Sequence, residues 1–194
     1  MMINMLLRLS AGVDWLNRKI GRSCVWLILA SIFISAGNAW TRKLFDASSN
    51  AWLEIQWYLF AAAFLGAAAY TLLVNEHVRI DALSQHFSER TRAWVDLLAF
   101  IFLVIPVCLL LVFLGSEFFY RAWVSGEMSY NAGGLIRWPV YLCIPVGFSL
   151  LSLQVLSEAI KRLAYLTGHR DKPLSSEADL PPFVFREAST GESS

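Results

Sequence analysis

Four stretches of the chain, Ser23–Thr41, Ile55–Asn75, Leu97–Ser116 and Trp138–Ser157, contain no Asp, Glu, Lys or Arg. Each has the length, about 20 residues, that a helix needs to cross the hydrocarbon core of a bilayer. Within lipid the backbone must satisfy its own polar groups, and such a stretch does so as a helix. All the charge lies between these stretches or at the chain ends. The pattern predicts an all-α membrane protein with a four-helix transmembrane domain over residues 23–166. The spans are expected at about 23–41, 53–75, 95–118 and 138–160.

Two further segments carry a helical, two-faced pattern. In residues 1–22, Met2, Met5, Leu6, Leu9, Val13, Leu16 and Ile20 recur on one side, and Asn4, Asp14, Arg18 and Arg22 on the other. Leu7 and Trp15 interrupt the division. Such a helix lies in the membrane interface, its apolar face in lipid or against a partner. In the middle loop, Ile80, Leu83, Phe87 and Trp94 oppose Asp81, Gln85, Glu89 and Arg92. Ser88 is placed to cap a helix that continues into the third span. The second span carries small residues four apart, which let helices approach closely. Ala63, Gly66, Ala67 and Tyr70 are its candidate packing face. Pro106 and Pro145 are expected to kink the third and fourth spans. Val124–Ile136 reads as an irregular connection, and residues 167–194, rich in Ser, Pro and acidic side chains, as a disordered tail.

Composition agrees with the pattern. The 194 residues are 57% hydrophobic and 16% charged, against roughly 25% charged in an ordinary soluble domain. The net charge of +1 matters less than its placement. Twelve basic residues fall on one side of the expected topology: Arg8, Arg18, Lys19, Arg22, Arg79, Arg90, Arg92, Lys161, Arg162, Arg170, Lys172 and Arg186. Four fall on the other: Arg42, Lys43, Arg121 and Arg137. The positive-inside rule then places both termini in the cytoplasm. Tryptophans cluster near the span ends, where an indole ring sits among headgroups. No small-residue cleavage pattern follows the first span, whose next residues are Arg42-Lys43-Leu44-Phe45, so that span is expected to be retained.

The candidate chemistry is sparse. A proton relay or ion path needs ionisable residues inside the spans, and the four stretches have none. His77, His86 and His169 lie outside them, which argues against haem held between helices. Cys24, Cys108 and Cys143 form no C-x-x-C pair and read as small packing residues. Glu54, at the outer end of the second span, reads as an interfacial charge rather than a proton-coupling carboxylate. Gln56, Asn38 and Gln154 are placed to bond between helices. No phosphate-binding loop or nucleophile–base pattern is present. No catalytic, substrate-binding or metal residue, no cofactor and no nucleic-acid partner is expected; the chain is not read as an enzyme.

The segments around the spans carry a family resemblance. They are Asn50-Ala-Trp-Leu-Glu-Ile-Gln-Trp-Tyr-Leu-Phe60, Asn75-Glu-His-Val-Arg-Ile-Asp81, Arg90-Thr-Arg-Ala-Trp-Val-Asp96 and Arg137-Trp-Pro-Val-Tyr-Leu-Cys-Ile-Pro-Val-Gly-Phe148. Together, from about Asp14 to Arg162, they resemble the small membrane subunit of tripartite ATP-independent periplasmic (TRAP) transporters, the dicarboxylate-transport Q component family. The resemblance implies a multi-pass protein of a bacterial or archaeal inner membrane. It also implies a large permease subunit and a periplasmic substrate-binding protein as partners, besides membrane lipid. In that arrangement the small subunit braces a large one that carries the substrate and ion sites. Uptake is of organic acids, driven by an ion gradient, expected to be sodium, rather than by ATP. Arg42, Lys43, Asp46, Glu54, Arg121 and Arg137, on the two outer connections, are then the candidates for docking the binding protein. Two other readings stand beside this one: a cofactor-free membrane-anchor subunit of an enzyme complex, and a self-sufficient small exporter.

Overall fold

The computed structural model describes residues 2–46, 49–74 and 88–169. Four helices are long and apolar enough to cross a membrane. We label them α1 (Met2–Phe45), α2 (Asn50–Leu73), α3 (Glu89–Ser125) and α4 (Trp138–Leu166). No strand occurs among the described residues; the nearest feature is an isolated bridge between Met128 and Ile136 in the α3–α4 loop. The fold is therefore an all-α membrane protein.

The leading amphipathic segment and the first apolar stretch form one helix, so residues 22 and 23 lie within α1. At 1.5 Å per residue its 44 residues extend about 66 Å, roughly twice the hydrocarbon thickness. The polar face of its first half does not all meet water: Ser10 and Asn17 are buried against α4. Most of the middle-loop amphipathic segment falls in residues 75–87, and most of the expected tail in residues 170–194, outside the described residues. Ser88 begins α3 as its spacing suggested. Its backbone is extended and its side-chain oxygen accepts the Thr91 N–H at 3.2 Å.

α3 contains a π turn over Phe100–Val104, in which the Ile105 N–H reaches back five residues to the Phe100 carbonyl. Pro106 follows directly. A proline ring clashes with the carbonyl four residues before it and offers no N–H. The wider turn at this point has that identifiable cause, and it is where the third span departs from regular helix. α4 runs through Pro145.

α4 is the centre of the arrangement and packs against α1, α2 and α3, whereas α1 pairs mainly with α2. Three glycines set the closest approaches. A Cβ on Gly21 of α1 would lie 2.4 Å from Tyr70 of α2. One on Gly115 of α3 would lie 2.7 Å from Ile144 of α4, and one on Gly147 of α4 would lie 2.7 Å from the Leu65 Cβ and 3.0 Å from the Leu65 carbonyl oxygen. Ser10 against Ser157 puts the start of α1 beside the end of α4. We call this the terminal end, and the opposite one the loop end.

At Gly147 the obstruction is partly backbone, which cannot rotate away. Gly147→Ala should therefore cost about 1–3 kcal/mol, the usual range for overpacking, seen as a lower unfolding midpoint in detergent. Gly37→Ala, where a Cβ would meet nothing within 4 Å, should leave the midpoint unchanged or raise it.

Candidate functional site: a buried ion network and a tethered loop

Toward the terminal end, charged side chains from three helices meet, those of α4 buried and those of α1 and α3 half-buried. Glu158, Lys161 and Arg162 of α4 are 3%, 4% and 1% exposed. Their spacing of three and four residues puts them on one face. Lys161 Nζ lies 2.6 Å from Asp14 Oδ2 of α1 and 2.7 Å from Glu158 Oε1. Arg162 Nη1 lies 2.7 Å from Glu158 Oε2, and its Nε lies 3.1 Å from Asp96 Oδ2 of α3. The Arg162 guanidinium also sits 4.6 Å from the centre of the Phe100 ring, at the start of the π turn. A continuous chain of charge thus runs Asp14–Lys161–Glu158–Arg162–Asp96, from α1 through α4 to α3.

This chain holds three carboxylates and two cations, and neutral donors supply the rest. Gln154 Nε2 donates to Asp14 Oδ1 at 3.0 Å and to Glu158 Oε1 at 3.3 Å. The Ser157 hydroxyl reaches Asp14 Oδ1 at 2.8 Å. Asn17 Nδ2 donates to Gln154 Oε1 at 2.8 Å, and Ser10 and Ser157 hydroxyls meet at 2.6 Å. A buried charge left single is costly, so each of these contacts offsets part of the cost of taking the ions out of water. Of the amides expected to bond between helices, Gln154 does so. Gln56 and Asn38 receive bonds at their backbone carbonyls, from Ser31 and Thr41.

The loop end has a second constellation. Gly126 closes α3 in the left-handed conformation (φ 62°). The chain then folds back on itself, with Ser129 N–H to Leu135 O at 2.8 Å and Arg137 N–H to Glu127 O at 2.9 Å. Glu54 of α2 holds this loop. Its carboxylate accepts from the Ser129 hydroxyl, from Asn131 Nδ2 at 2.8 Å and from the Leu135 N–H at 2.7 Å. Asn50 and Tyr58 of α2 add bonds to the carbonyls of Ala132 and Ile136, each at 3.1 Å. Behind the loop, Trp123 and Trp138 pack edge to face with centres 4.7 Å apart.

The residues singled out from sequence separate into groups. Ala63 is buried on α2. Gly66 faces α1, where a Cβ would lie 3.0 Å from the Cys24 sulfur, and Tyr70 stands on Gly21 of α1. Ala67 is half-buried. Arg42 and Lys43 are exposed in the last turn of α1, and exposed Asp46 follows with a positive φ of 50°. Arg121 pairs with Glu117 one turn away on the exposed surface of α3. Glu54 and Arg137 are occupied within the chain: Arg137 pairs with Glu127 at 3.2 Å, bonds the Tyr141 hydroxyl at 3.3 Å and lies over the Tyr130 ring. Sequence reasoning counted Lys161 and Arg162 only as flanking basic charge and missed their burial. The i, i+3, i+4 run of Glu158, Lys161 and Arg162, with Gln154 one turn earlier, was the signal available for it.

Residues 28–164 match the family described as tripartite ATP-independent periplasmic transporters, DctQ component. The chain belongs to that family. A DctQ component is the small membrane subunit of a TRAP transporter, and this one is a multi-pass membrane protein. The DctQ family is a transporter component rather than an enzyme family. No curated protein and no solved structure matches the chain. The matched region of this DctQ chain contains Glu54, the tethered loop, Asp96, Glu158, Lys161 and Arg162; Ser10, Asp14 and Asn17 precede it.

Arg162→Met keeps much of the side-chain volume but removes the cation that joins Glu158 to Asp96. Breaking a buried pair this way typically costs about 3–5 kcal/mol, so the variant should unfold at a markedly lower temperature than the parent. Arg121→Met removes a pair whose side chains are 76% and 47% exposed and should cost no more than about 1 kcal/mol. Equal stability of the two variants would show that the network does not hold the helices.

Proposed function

We propose that this chain is a static scaffold subunit of a TRAP transporter that takes up organic acids with an ion gradient, most simply sodium, across a bacterial inner membrane. Its partners in this reading are a large permease subunit, which carries the substrate and ion sites, and a periplasmic substrate-binding protein. The terminal end faces the cytoplasm. The observation that carries the reading is the commitment of the buried charges to one another. Lys161 and Arg162 are bound to Asp14 and Asp96 on neighbouring helices and to Glu158 on their own, an arrangement that fixes helices rather than one that takes up and releases an ion.

The exposed surface fits a subunit made to be covered by lipid and by other helices. Trp26 and Phe33 on α1, Trp57 and Phe64 on α2, and Phe102 and Phe113 on α3 all point outward. Reconstituted alone in liposomes, the chain should support no sodium-driven uptake of any organic acid. Uptake should appear only when the large subunit and the binding protein are present. Transport by the isolated chain would end the scaffold reading.

Docking of the binding protein falls on the loop end. Glu54 and Arg137 shape that surface from within, while Arg42, Lys43, Asp46 and the Arg121–Glu117 pair are exposed to a visitor. Reversal of Arg42 and Lys43 to Glu should slow uptake at limiting binding protein and leave complex assembly intact. The defect should vary with salt, because exposed charges are screened beyond about 8–10 Å. Unchanged uptake at every salt concentration would assign docking to the large subunit alone.

A further inference from the structure

The outer face of α1 opens into a hollow of about 280 Å³, lined by Trp15, Arg18, Lys19, Arg22, Ser23 and Trp26. Lys19 and Arg22 are exposed and Arg18 is half-buried. Lys19 Nζ lies 5.4 Å from the centre of the Trp15 ring. No ion pair engages Lys19 or Arg22 among the described residues. Among the described residues, the carboxylates of α1, α2 and the facing turns of α4 are committed elsewhere. Asp14, the only acidic residue of α1, is held by Lys161, Gln154 and Ser157. Glu158 of α4 is held by Lys161 and Arg162. On α2 the only carboxylate is Glu54, at the loop end under the tethered loop.

The register of the helices gives this patch its meaning. Gly21 packs on Tyr70 of α2, and Asn17 bonds Gln154 of α4. Tyr70 and Gln154 both lie inside stretches with no charged residue. The charge-free stretch of α1 begins only at Ser23, so its cations stand level with the apolar surface of the neighbouring helices. Lysine and arginine at such a depth extend toward the headgroup layer. Trp15 and Trp26, both largely exposed, bracket them about 16 Å apart along the helix, and indole rings favour the same layer.

We propose that this hollow binds the phosphate of an anionic phospholipid in the leaflet at the terminal end. Lys19 and Arg22 offer charge-assisted hydrogen bonds to phosphate oxygens, and the two indoles flank the upper acyl chains. The proposal needs only a membrane-spanning chain and does not depend on the scaffold reading.

The test uses the purified full chain in detergent, with phosphatidylglycerol and phosphatidylcholine in equal amounts and retained lipid measured by native mass spectrometry. The parent should keep phosphatidylglycerol in preference. Lys19→Gln and Arg22→Gln should each reduce that preference about fivefold, the equivalent of ~1 kcal/mol per basic residue near a lipid surface. Neutralising Arg42 and Lys43, at the other end of α1, should leave it unchanged. Circular dichroism of each variant checks the fold, and because both test side chains are exposed, the two single variants can be read separately. Equal retention of the two lipids by the parent, or full preference in both variants, overturns the proposal. So does displacement of the lipid by excess inorganic phosphate, which would mark a site for a free anion.

Discussion

Three charged side chains of α4 removed from water, Glu158, Lys161 and Arg162, must be satisfied by one another and by half-buried carboxylates on two neighbouring helices, and that requirement fixes the relative position of three helices in this protein. Arg162 needs both Glu158 and Asp96; Lys161 needs both Glu158 and Asp14. A slide of α1 or α3 by one turn, about 5.4 Å, would separate a carboxylate from its cation. The close approaches at Gly21, Gly115 and Gly147 fix the register between neighbouring helices by shape, and the charged network fixes it by pairing. The network therefore specifies alignment, a role for which buried polar groups are better suited than for raw stability.

The two ends of the molecule use the same device at different depth. At the terminal end, buried charges of α4 meet half-buried carboxylates of α1 and α3. At the loop end, a single carboxylate on α2 gathers a hydroxyl, an amide and a backbone N–H from the α3–α4 loop. Between them lies a middle section held by close backbone approach at Gly21, Gly115 and Gly147. A DctQ chain so built has little internal slack.

Much of this was legible in the sequence. The charge-free stretches located the four helices, Ser88 marked the start of α3, and Pro106 marked the π turn within it. Gln154 was recognised as a residue that would bond between helices. The burial of Lys161 and Arg162 was not, because periodicity tells which residues share a face and not what the face meets. Asp14 was assigned to a water-facing side for the same reason. Its partner lies on α4, and only the packing of α1 along α4 brings the two together. Glu54 looked like a flanking charge since its three donors come from residues 129–135, far along the chain and without a pattern of their own.

The order in which the network's members are made has a consequence for biosynthesis. Asp14 leaves the ribosome early, and Lys161 near the end of the last helix. At about 5–20 residues per second the interval is roughly 7–30 s. During that time Asp14 has no cation from α4, and Asp96 has no Arg162. The first and third helices must wait with their acids at a water-accessible depth until α4 arrives. Insertion of the last helix is thus the step that ties α1 to α3, and a chain that stalls before residue 158 lacks the charges that join those two helices.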